Sequence, residues 1–117
     1  MNVGFAQSVI TPSLKKPVFP ASFGTDRRAQ TVHDDLYARA VAMQSDQTTM
    51  VLVALDLIGF MKTDVQEVIE CMHKSHPQGQ IVIASTHTHH GPDTMGTWGP
   101  DWNTCGVELK YIPGQTL

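Results

Sequence analysis

The sequence lacks most of the features that would class a protein by composition. It has only two cysteines, Cys71 and Cys105, far apart in the chain. They can form neither a CxxC metal pair nor a disulfide framework, and they read as two free thiols, with one disulfide as the alternative. Positive charge is scarce: eight Lys and Arg stand against eleven Asp and Glu, for a formal net charge of −3. Lys15–Lys16 and Arg27–Arg28 are isolated pairs, not the basic patch that nucleic acid or an anionic membrane surface would require. The longest apolar run, Met50 to Leu55, falls far short of the roughly 20 residues of a transmembrane helix. No charged segment leads into an apolar stretch at the N-terminus, so no signal peptide is visible. The chain therefore reads as soluble, with its compartment unknown. Internal repeats and low-complexity segments are also missing.

What the sequence does have is the material for a core. Hydrophobic residues make up 41% of the 117 and charged residues 16%, which argues against disorder and for one small domain of roughly 100–150 residues.

Val3 to Ile10 predicts a first strand, closed by Thr11-Pro12. Pro17, Pro20, Gly24 and the polar run Thr25 to Arg28 mark a long loop, and loops of that length are often functional. Leu36 to Gln44 alternates, with Leu36, Ala38, Ala40 and Ala42 on one side, as a strand does. Ser45 to Thr48 reads as a turn, and Thr49 to Asp56 as an apolar strand buried on both faces. These two strands should pair as a hairpin. Thr63 or Asp64 can cap a helix running to about His76, whose Val65, Val68, Ile69 and Met72 share one face. Gln80 to Ser85 is another buried strand, completing a βαβ unit with parallel strands. The expected class is α/β, with a mixed sheet containing a hairpin and a βαβ unit.

The chemistry gathers just after that last strand, in Ser85-Thr86-His87-Thr88-His89-His90-Gly91-Pro92-Asp93. Three of the six histidines fall within four positions, at the C-terminal strand end where α/β sheets bind ligands. In extended backbone, residues two apart point the same way, about 6.5–7 Å apart. His87 and His89 should then face one site, with His90 facing away unless the chain bends. Neutral imidazole suits zinc, but a catalytic zinc takes three protein ligands and one open position. Candidates to complete it are His33, Asp34, Asp35, Asp56, Asp93 and His90. Asp56 closes the neighbouring strand and could be a ligand, an acceptor that orients an imidazole, or a strand-end turn residue. His33-Asp34-Asp35 reads as a solvated turn. His73 and His76 receive no role.

Together, Val3 to Pro12 (VGFAQSVITP), Phe23-Gly24 with Arg27-Arg28, Val32 to Ala40 (VHDDLYARA), Val53 to Leu57 (VALDL) and Ser85 to Pro92 (STHTHHGP) resemble the start of the neutral, non-lysosomal ceramidase amino-terminal domain. The resemblance covers about residues 1–105, leaving 106–117 as an irregular tail. THTH-x-GP is its specific part; the other segments are supporting. It departs at His90, where the family usually carries Ser.

The resemblance implies a zinc-dependent amide hydrolase that cleaves N-acylsphingosine to sphingosine and a fatty acid, within a larger ceramidase-like catalytic domain. It makes His87 the zinc ligand and places His89 beside the metal as a catalytic contact to substrate. The family's other ligands, a distant His, a Glu and a Tyr, would lie beyond Leu117, so this chain alone is expected to be inactive. The implied partner is a small lipid-amide substrate of the full-length protein. Two other readings stay open. One is a shortened, non-catalytic metal-binding or interaction module that self-associates through uncovered sheet edges. The other is a different metallohydrolase, in which His87, His89 and a nearby Asp form a complete local site.

Overall fold

The alternating stretch after Leu36 and the apolar run that follows it form the centre of a four-stranded sheet. The computed structural model describes residues 1–21, 24–46, 48–77 and 79–99; Cys105 and the 106–117 tail lie outside the described residues. The elements run β1 (Asn2–Val9), β2 (Tyr37–Ser45), β3 (Thr48–Leu55), α1 (Lys62–His73) and β4 (Gly79–Ser85). Their order in the sheet is β1-β2-β3-β4. The first two pairings are antiparallel and the third is parallel. The fold is thus α/β with a mixed sheet, and the expected hairpin and βαβ unit are both present.

Ser45 pairs with Thr48 across the hairpin. Its connecting residue Asp46 has φ of 49°, a left-handed conformation that Asp tolerates and tight hairpins need.

Two expectations are corrected. The run Thr49 to Asp56 was expected to be buried on both faces, yet β3 and β4 alternate between half-buried and exposed residues. The cause is one-sided cover. On one face, Met72 near the end of α1 lines a shallow cleft together with Thr49, Val51 and Ile81. The opposite face carries Phe5, Val41, Leu52 and Val82 in one cross-strand row, and Phe5 and Val82 are 82% and 50% exposed. The helix, too, departs at both ends. Met61 precedes it without a side-chain cap, Thr63 and Asp64 lie inside its first turn, and it ends at His73. Beyond that, Ser75 and His76 N–H groups both donate to the Met72 carbonyl, tightening the chain before Pro77. The His73 Nε2–H donates to the Gly79 carbonyl at 2.9 Å, tying the helix end to the start of β4.

Among the described residues the buried hydrophobic ones are Ala21, Leu57 and Ile58. None is in the sheet: Leu57 and Ile58 follow β3, and Ala21 lies in the long loop, bonded to Gly91 after β4. Burying a Leu or Ile side chain contributes about 1.5–3 kcal/mol, so among the described residues burial is greatest beside the segment that carries the histidines. The long loop closes onto that segment: Pro20 bridges Pro92, Ala21 N–H donates to Gly91 O, and Asp93 N–H donates to Phe19 O. Among the described residues no helix is long and apolar enough to cross a membrane.

Candidate functional site

Parallel pairing carries the chain past the end of β4, where Thr86 N–H donates to Leu55 O at 2.8 Å. Extended backbone stops there. His87 has φ of 63°, a left-handed conformation that costs a β-carbon residue about 1–2 kcal/mol. The expected side-by-side placement of His87 and His89 along a strand is therefore corrected to a turn. Strained backbone of this kind collects at functional positions. The turn still brings the two rings together: their centroids lie 5.3 Å apart with planes at 90°. It also brings His90 round, so that His89 and His90 both line one cleft.

The ring of His87 is fixed by the loop after β3. Its Nδ1 lies 2.7 Å from the Ile58 carbonyl oxygen. A carbonyl can only accept, so Nδ1 carries a proton, and in the neutral ring Nε2 keeps its lone pair. This is the arrangement in which a histidine ligates a metal through one nitrogen while the other is held by a backbone acceptor.

His89 is half-buried between the ring of His87 and that of Trp98, whose centroid is 6.1 Å away. Trp98 is held there by Asp93. One Asp93 oxygen accepts from Met95 N–H at 3.0 Å and the other from Trp98 N–H at 2.6 Å. Sequence reasoning missed Trp98; the signal was available in Asp93 followed by the turn-forming Thr94 to Gly99. Asp93 here organises its own loop, with both oxygens engaged.

Asp56 likewise has defined partners. Its carboxylate accepts from Tyr37 N–H at 3.0 Å and from Arg39 Nη1 at 2.8 Å. Burial would raise its carboxyl pKa, but the Tyr37 N–H, the Arg39 guanidinium and the Thr86 hydroxyl outweigh burial and hold it below the usual value. His33 pairs with Asp34 at 2.6 Å on the surface, at the mouth of the cleft. Asp35 accepts from the Thr11 hydroxyl at 2.7 Å. Among the described residues, no group of three His, Cys, Asp or Glu is placed to hold a metal ion.

The cleft has a volume of roughly 740 Å³ and apolar walls that include Pro12, Leu14, Val18 and Val32, with His89 and His90 at one end. His87 does not line it. His89 therefore stands between His87 and the cleft. Gly91 makes this closeness possible: a Cβ there would lie 3.2 Å from the Asp56 carbonyl oxygen and 3.4 Å from Leu36 Cδ1.

No family model matches the sequence, and no curated protein matches it. Solved structures do resemble the fold. Neutral ceramidase from Pseudomonas aeruginosa superposes with a TM-score of 0.68 at 21% identity, covering 79% of this chain and 16% of that one. A ceramidase complexed with C2 gives a TM-score of 0.68 at 22% identity, covering 79% of this chain and 15% of that one. The chain thus has a ceramidase-like fold and spans about a sixth of the length of these neighbours.

Proposed function

We propose that this chain forms the first segment of a zinc-dependent amide hydrolase of ceramidase type. His87 is a metal ligand through Nε2, and the remaining ligands come from outside the described residues. The observation that carries this reading is the 2.7 Å hydrogen bond from His87 Nδ1 to the Ile58 carbonyl, which presents Nε2 as an electron-pair donor. The chemistry a bound zinc supplies is polarisation of the amide carbonyl and acidification of water towards a pKa of about 7. His87 holds its ring orientation through Ile58. His89, between His87 and the cleft, is the group that contacts the substrate amide. The apolar part of the cleft wall suits the hydrocarbon chain of a lipid amide. Asp56, Asp93 and His90 serve the site from its margins. Asp56 ties the β2–β3 end to Thr86, Asp93 sets Trp98 against His89, and His90 borders the cleft.

Metal analysis of the full-length protein tests the reading. Wild type should retain zinc and His87→Ala should lose it; equal zinc in both would end the proposal. A second reading, an interaction module rather than a catalyst, is favoured by the uncovered row Phe5, Val41, Leu52 and Val82. On that reading a second copy covers the row, and a monomer by sizing chromatography at high concentration would count against it.

A further inference from the structure

The tautomer of His87 depends on where the Ile58 carbonyl points, and that carbonyl lies in the short connection between β3 and α1. Burial alone does not orient a carbonyl. Three contacts hold the connection. Thr88 N–H donates to Leu57 O at 3.3 Å. The Thr94 hydroxyl donates to Gly59 O at 2.5 Å. The Met95 thioether fills the space beside Gly59, where a Cβ would sit 2.8 Å from Sδ. Met95 N–H is itself fixed by Asp93. The segment after β4 thus returns to grip the peptide next to the one that His87 bonds.

We propose that Thr94 is a positioning residue for His87. By anchoring the Gly59 carbonyl, it holds the adjacent Ile58 carbonyl against Nδ1 and keeps Nε2 as the acceptor nitrogen. The two tautomers of a neutral imidazole differ in which nitrogen carries the proton, and the hydrogen bond made by one nitrogen decides the state of the other. Without the Thr94 hydroxyl, the connection loses its hydrogen bond at the Gly59 carbonyl, the hold on the Ile58 carbonyl loosens, and the ring samples both tautomers. The functional meaning of this rests on the metal-ligand reading above, whereas control of the tautomer is a property of the metal-free chain.

Nitrogen-15 spectra of the metal-free 117-residue chain, recorded well above the ordinary imidazole pKa of about 6.5, report which ring nitrogen is protonated. Wild-type His87 should be protonated at Nδ1. Thr94→Val should show a mixture of tautomers, and Thr94→Ser should restore the wild-type pattern. Thr94→Ala removes the same hydroxyl with a smaller side chain, for the case in which valine does not fold. An unchanged His87 in the variants lacking the hydroxyl overturns the proposal, and so does a wild-type ring protonated at Nε2. Zinc titration of the full-length protein separates the two readings. Zinc that leaves the wild-type His87 ring unperturbed there sinks the metal reading and leaves the tautomer result standing. Where zinc binds, Thr94→Val should weaken it by about tenfold.

Discussion

His87 and Ile58 are joined by a hydrogen bond between a strained residue and a buried one. The imidazole Nδ1 lies 2.7 Å from the carbonyl oxygen, and it reaches there from a backbone with φ of 63°. The left-handed turn and the ring orientation belong together, because an extended residue 87 would send its side chain along the strand's own alternation.

That pairing makes a stability prediction. His87→Ala and His87→Gly both lose the imidazole and its bond to Ile58, so the difference between them isolates the backbone. Glycine adopts positive φ without the Cβ penalty. His87→Gly should therefore be more stable than His87→Ala by about 1 kcal/mol in urea unfolding. Equal stability of the two would mean that the turn relaxes to negative φ once the ring is gone.

Asp56 predicts a pH dependence. Its carboxyl lies below the usual value in the folded chain. The stability it contributes is therefore complete above the unfolded value of about 3.9 and fades as the pH falls through the lower folded value. Asp56→Asn keeps an acceptor for Tyr37 N–H but loses the charge that pairs with Arg39. Because Arg39 is half exposed, the cost at neutral pH should be only about 1 kcal/mol. The gap between wild-type and variant unfolding curves should narrow from neutral pH to about pH 3; a constant gap would mean the charge is irrelevant.

The sequence made the sheet legible where local pattern decides it. Alternation from Leu36 and the apolar runs at Thr49 and Gln80 marked three strands, and the spacing of Val65, Val68, Ile69 and Met72 marked the helix. It misjudged burial because an apolar run does not reveal how many faces are covered; Leu52 and Val82 look the same in sequence whether or not another layer lies over them. At the site, the histidine cluster and its strand-end position were visible, while the geometry was not. The left-handed turn at His87 follows from its bond to Ile58, 29 residues earlier, and the place of His89 follows from Trp98 and Asp93 downstream. The Pro20–Pro92 bridge closes an even longer loop. No window of neighbouring residues carries the Ile58 and Pro20 contacts.

Gly91 offers the sharpest test of how the turn is packed. The residue is buried, and its amide neighbourhood is fixed from two sides: Gly91 O accepts from Ala21 N–H, while Asp56 N–H donates to Tyr37 O. A Cβ at position 91 would press on the Asp56 carbonyl oxygen at 3.2 Å, while Leu36 Cδ1 at 3.4 Å and Thr88 Cγ2 at 3.6 Å would lie at ordinary contact distance. The Asp56 peptide is tethered through its N–H to Tyr37 O, so the expected response is an outward shift of the turn. Gly91→Ala should therefore destabilise the chain by about 1–3 kcal/mol, the usual cost of overpacking. The displacement should fall on His89 and His90, which adjoin Gly91, and spare His87, which is held separately by Ile58. In NMR spectra the ring resonances of His89 and His90 should shift while the His87 tautomer persists. An alanine accepted without loss of stability would show that the turn has slack, and the close placement of His89 between His87 and the cleft would then be a loose arrangement.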